Sequence, residues 1–271
     1  MLFRSDSTPG EILEQAGMLA PVADAVYVPD NRYGRVHMSG LAAAAILLGD
    51  GHDPVLEVAC RHRNRVALIS DLLGARALGV TSLMLVRGKK APEEFFPQAR
   101  QVADTRVTEL VAIARNVYQD EALGQPINHL LGTTATVHNP EEDWNPERLG
   151  RKIEAGTHYI QTQLCLDIEL LRRYVQRLVA QQVTRKVSLV VSTAALPSVA
   201  AAERLRAERG HILIPEDIVR QMRAAADPEQ AGIELCAEFV RAARDIPGVS
   251  RVQLSSEGNL AANIEVLQRC R

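Results

Sequence analysis

The sequence holds no apolar run long enough to cross a membrane, no closely spaced cysteine pair and no excess of charge of either sign. Its longest aliphatic stretch, Leu41 to Leu48, falls far short of the ~20 residues that a spanning helix needs. The opening stretch, Met1 to Thr8, lacks the apolar segment of a secretory signal, so the expectation is a cytoplasmic protein with no membrane partner. Cys60, Cys165, Cys236 and Cys270 are scattered, which argues against a disulfide framework and fits free thiols in a reducing compartment. Zinc needs closely spaced ligands, and none stand together here, so no metal is expected. With 31 basic and 33 acidic side chains, the formal net charge is -2, which gives no electrostatic reason to expect nucleic acid. A small molecule is the better candidate partner. No glycine-rich dinucleotide fingerprint follows any candidate strand, which weighs against an open Rossmann sheet.

What is present is alternation. Short β-rich runs at Met1–Arg4, Ala25–Val28, Val55–Ala59, Ser82–Val86, His129–Thr134, Tyr159–Thr162, Lys186–Val191 and Arg251–Leu254 are separated by segments of helical periodicity. Arg63–Leu78, Asp167–Val183, Pro215–Ala225, Glu229–Asp245 and Leu260–Arg271 are the clearest helices. Eight strand–helix units predict an α/β fold, a single (β/α)8 TIM barrel, and a length of 271 residues suits one such domain over 1–271. The Pro/Gly clusters at Gly88–Pro97 and His138–Pro146 are short and fall where βα loops belong, so no linker divides the chain.

In such barrels the site is built where strands end. Asp30, Asn31 and Arg32 follow the second expected strand, and Cys60 to Arg65 (CRHRNR) follow the third. Arg87, Gly88, Lys89 and Lys90 follow the fourth, Thr136 and His138 the fifth, Gln163 the sixth, Ser192 and Thr193 the seventh, and Ser255 and Ser256 the eighth. The basic cluster beside a glycine suits a phosphate or pyrophosphate, or is simply the polarity of any loop.

These residues resemble the methylenetetrahydrofolate reductase family, especially its short bacterial forms. The likeness is carried by Asp24 to Asn31 (DAVYVPDN), Cys60 to Gly74, Arg87-Gly88, Arg151 to Gly156, Gln161-Thr162-Gln163 with Asp167, Leu196-Pro197, His211 to Pro215, and Glu257-Gly258-Asn259. It runs from about Ile12 to the C-terminus in the family's order. The resemblance implies a (β/α)8 barrel that binds FAD and passes a hydride from NADH or NADPH to 5,10-methylenetetrahydrofolate. It implies that Arg87 and Lys152 hold the FAD pyrophosphate, that Gly88 lets the backbone approach the flavin, and that His138 lies near a family histidine. Gln163 matches the glutamine that contacts the pterin, and Asp30, Asn31 and Glu57 fall among the substrate-side positions. Against these stand plainer readings: Arg151 and Lys152 as a solvated helix face, and Arg61, Arg63 and Arg65 as surface charge near Asp71. Cys60 reads as a small buried hydrophobe, and Trp144 as a loop anchor with no aromatic companion.

The family pattern breaks at two acids. The family's strand-one glutamate has no counterpart in MLFRSDSTP, where Arg4 takes its place and Asp6 is the nearest carboxylate. The aspartate after the fourth strand is Lys89 here, which either stabilises an anionic reduced flavin or points to solvent. Glu57 replaces a frequent His or Gln, and Pro29 a threonine. Two functions remain open: a flavin-dependent reductase of folate one-carbon metabolism with Asp6 or water as acid, or a non-reductase folate- or flavin-binding subunit or methyl-transfer partner. A homo-oligomer or a partner subunit is compatible with either.

Overall fold

The computed structural model describes residues 8–31, 36–90, 100–102, 104–208, 212–256 and 259–271. The expected first strand Met1–Arg4, together with Asp6, Arg32, His211, Glu257 and Gly258, lies outside the described residues. The chain divides into two compact units, 1–133 with 151–158, and 134–150 with 159–271.

In the first unit, helix α1 (Pro9–Leu19) opens on a capping box. The Glu11 N–H donates to Thr8 Oγ1 (3.3 Å), and the Glu11 carboxylate accepts from the Thr8 N–H (2.6 Å). Strand β1 (Val26–Val28) is followed by α2 (Gly40–Gly49), β2 (Pro54–Ala59), α3 (Arg65–Leu78), β3 (Ser82–Val86), α4 (Val107–Gln119) and β4 (Leu130–Ala135), whose last two residues belong to the second unit. These strands pair in parallel and in chain order. Helix α3 starts where Asn64 accepts from the Ala67 N–H (2.9 Å), and stops at Gly79 in the left-handed region, φ +83.

The alternation of β2 is visible in its burial: Leu56 and Val58 are buried, while Val55 and Glu57 are half-buried. Leu56 lies under the N-terminus of α2, where a Cβ on Gly40 would come within 3.0 Å of it. Glu57, and Tyr27 by the same register, therefore face away from α2.

Helix α5 (Glu147–Glu154) straddles the division of the chain. The second unit contains β5 (Tyr159–Leu164), α6 (Ile168–Ala180), β6 (Ser188–Thr193), α7 (Val199–Glu208), α8 (Glu216–Ala224), α9 (Pro228–Arg244), β7 (Arg251–Leu254) and α10 (Leu260–Arg269). Its three strands are also parallel and in chain order. Asp167 caps α6 by accepting from the Leu170 N–H (2.9 Å), and Asp227 with Pro228 opens α9.

The sequence expectation of parallel strand–helix alternation matches these elements, with seven strands among the described residues. Ends shift by at most three residues; β6, for example, starts at Ser188 because Lys186 belongs to the close of a short turn of helix at Val183–Arg185. No described helix is long and apolar enough to cross a membrane.

Candidate functional site

Where β1 ends, Asp30 sits 4% exposed, and three groups close on its carboxylate. The Ala59 N–H, at the end of β2, donates to Oδ2 (2.9 Å), and Arg63 engages both oxygens, Nη2 to Oδ1 at 3.0 Å and Nη1 to Oδ2 more closely still. Arg63 also donates to the Ala59 carbonyl (3.3 Å) and meets Asp71 Oδ2 through Nε (3.0 Å). Hydrogen bonding to Asp30 holds the Arg63 proton more firmly than usual, while burial pushes the Asp71 carboxyl up against the pull of Arg63. Asn31, at φ +47, donates to Asp30 Oδ1 (3.0 Å) and accepts from the His37 N–H (3.4 Å). Asp30 and Asn31 thus tie the end of β1 to the end of β2 and to His37.

The reading of Arg61, Arg63 and Arg65 as surface charge holds for Arg65, which is exposed beside Asp104 and Glu109. Arg63 does meet Asp71, as that reading expects, but it is half-buried and also grips Asp30, so it is more than surface charge.

The ends of β2 and β3 bring cations together. Arg61 follows Cys60, and its Nε donates to the Gly88 carbonyl (3.0 Å). Its proton affinity is lowered by burial first and by the neighbouring charge of Arg87 second. Gly88 takes φ +81, and a Cβ there would stand 3.0 Å from Ala59 Cβ and 3.5 Å from Arg61 Cβ. The glycine requirement therefore has an origin inside the protein as well as in any ligand. His62 Nε2 bonds the Lys89 carbonyl (2.8 Å), while the side chains of Arg87, Lys89 and Lys90 are exposed. Cys60 is buried, and burial pushes its thiol up, in keeping with a small apolar role.

On α5, Arg151 is exposed, as a solvated face requires, but Lys152 is half-buried and its ammonium is destabilised by that burial. On the face of β1 and β2 turned from α2, the Tyr27 hydroxyl donates to the Glu57 carboxylate across the strand pair.

In the second unit Gln163 uses its carboxamide like a strand: Oε1 accepts from the Val137 N–H (2.8 Å), and Nε2 donates to the Val137 carbonyl (3.1 Å). His138 follows, with Nδ1 on the Thr136 carbonyl (3.0 Å). Its ring packs edge-on against Trp144 (5.0 Å) and Tyr174 (5.3 Å), and those two rings lie 5.8 Å apart. Trp144 does anchor its loop, but with aromatic companions that the local sequence does not reveal. Among the described residues no group of three or more His, Cys, Asp or Glu is placed to hold a metal.

Sequence reasoning missed the Arg61–Arg87 confrontation, the double grip of Arg63 and the aromatic trio. The arginines at 61, 63 and 65 were the one available signal; a strand would put all three on one face, but they part because residues 61 and 62 form a turn.

The family model for methylenetetrahydrofolate reductase matches residues 17–269. A similar curated protein is the probable methylenetetrahydrofolate reductase (NADPH) of Caenorhabditis elegans, 21% identical over 241 residues, which cover 83% of this chain and 34% of that one. The chain spans about a third of the length of that relative.

Proposed function

Because the chain belongs to the methylenetetrahydrofolate reductase family, we propose that it is a flavin-dependent oxidoreductase of folate one-carbon metabolism, drawing on NADH or NADPH. One observation carries the reading. Arg61 donates through Nε to the carbonyl of Gly88 (3.0 Å), a glycine at φ +81 that directly follows Arg87, and its proton affinity is lowered by burial first and by the charge of Arg87 second. Like charges held together favour binding of an anion that neutralises both, and a pyrophosphate presents several oxygens to do so. The residues present thus fit FAD. Bound there, FAD would supply the hydride-carrying ring; the chain's own residues bind and orient.

In this reading Arg87 and Lys152 hold the pyrophosphate, Gly88 leaves room for the cofactor, and His138 borders it. Asp30 and Asn31 act on the substrate side by fixing the strand ends that they tie together. Glu57, hydrogen-bonded by Tyr27, and Gln163 line the substrate side. Asp6 is proposed as the acid for the folate nitrogen, and Lys89 as the charge beside the reduced ring. A single (β/α)8 barrel over 1–271, in the cytoplasm, is the architecture we infer for the whole.

The replacement of an acid by Lys89 favours a second reading, a folate- or flavin-binding subunit without turnover. Purified protein that is yellow, bleaches with NADH or NADPH and recovers with methylenetetrahydrofolate supports the enzyme. A protein that binds tetrahydrofolate without flavin or bleaching sinks the enzyme and leaves the binding subunit.

A further inference from the structure

The strands of the second unit have two chemically different faces. Thr193 Oγ1 lies 4.0 Å from Cys236 Sγ on α9, and Val252 and Leu254 pack into the cluster that includes Ile233, Cys236 and Val266. Alternation then sends Ser192 and Gln253, which are register partners, to the face away from α9. Gln161 shares that face, because its Nε2 donates to Gln253 Oε1 (3.4 Å). The face therefore offers carboxamides and a hydroxyl, and none of these three side chains is ionisable.

Ser192 is 4% exposed, its N–H donates to Thr162 Oγ1 (3.0 Å), and its carbonyl accepts from the Cys165 N–H (2.8 Å). Its hydroxyl, by contrast, is buried with no hydrogen-bond partner among the described residues. A buried hydroxyl left unmatched is destabilising, and buried polar side chains nearly always find a partner in the protein, in ordered water or in a bound group. Gln253 is oriented: its Nε2 donates to the Leu254 carbonyl (2.8 Å), which leaves Oε1 directed at Gln161. The Gln161–Gln253 bond is long, so a ligand with a better donor–acceptor edge displaces it at little cost. Gln163, by contrast, is tied at both ends of its amide to Val137.

We propose that Ser192, Gln161 and Gln253 select the neutral ring of the substrate through a cyclic amide edge, whose adjacent N–H and C=O match a carboxamide. This rests on the folate reading above, in which that ring is the pteridine. It assigns ring recognition to residues beyond Gln163.

The test is calorimetric titration of the whole chain with tetrahydrofolate and with 6-hydroxymethylpterin, which lacks the charged tail, for wild type, Ser192→Ala and Gln253→Leu. Loss of one neutral hydrogen bond weakens binding by about tenfold, and both ligands should show it in each variant. Ser192→Ala should keep or raise the thermal midpoint, because it removes an unmatched hydroxyl, so weaker binding by that variant cannot come from misfolding. Wild-type binding with both variants unchanged overturns this assignment and leaves the folate reading standing. Wild type that binds neither pterin overturns the folate reading and this one with it.

Discussion

Arg63 grips Asp30 through both terminal nitrogens while its Nε meets Asp71, so a single guanidinium ties the end of β1 to the first turns of α3. Asp30 is shielded from solvent, and Arg63 shows 23% of its side chain. Removing one partner of such a pair leaves the other's charge buried, at a cost of about 3–5 kcal/mol. Arg63→Met should therefore lower the urea midpoint sharply. The double variant Arg63→Met with Asp30→Asn should recover part of the loss, since the stranded carboxylate is gone. Equal losses in single and double variants would show that packing, not charge, holds the loop.

Gly88→Ala should also destabilise, by about 1–2 kcal/mol from the left-handed conformation alone, with more from the 3.0 Å approach to Ala59 Cβ. Denaturant melts of the unliganded protein read this directly. An unchanged midpoint would mean that the loop relaxes, and that glycine is kept for the ligand's sake.

Stability should fall in mild acid through His158. Its Nδ1 accepts the Leu131 N–H (3.0 Å), which requires that nitrogen to be unprotonated. Burial first, and the neighbouring His129 second, lower its proton affinity in the folded protein. The unfolded chain, titrating near pH ~6.5, thus binds a proton that the folded chain refuses. The contribution is full above that value and is lost as pH falls through the folded value. His158→Gln should flatten the urea midpoint between pH 7.5 and 5. A slope that survives the change would assign the effect to other groups.

How far the sequence reaches is clearest from particular elements. The α3 helix was legible because Asn64 and Gly79 punctuate an apolar period, and both act as caps. The parallel strands followed from their spacing with helices. Arg87 and Gly88 were legible as a cationic turn, but the opposed Arg61 was not, because its approach depends on two strand ends being neighbours. Ser192 was placed at a strand end but not distinguished from its neighbours: an unmatched hydroxyl is a property of packing, and a serine there looks like any other. Glu57 stood out by type, yet its bond with Tyr27 depends on strand register, which is fixed only when the β1–β2 ladder forms.

The sharpest electrostatic prediction concerns Lys89. Its side chain is exposed, and His62 holds its carbonyl (2.8 Å) just past the end of β3. Reduced flavin carries negative charge, and a cation nearby stabilises it while an anion opposes it. Lys89→Asp in the flavin-loaded protein should therefore lower the midpoint potential, read by equilibration with a reference dye. In the proposed site Arg87→Ala acts on a different quantity: losing a charge-assisted contact to the pyrophosphate should weaken flavin affinity by about tenfold or more, with little effect on the potential of the fraction that stays bound. If Lys89→Asp instead changes affinity and leaves the potential alone, the lysine serves the phosphate end, and the missing family acid has no electronic counterpart in this chain.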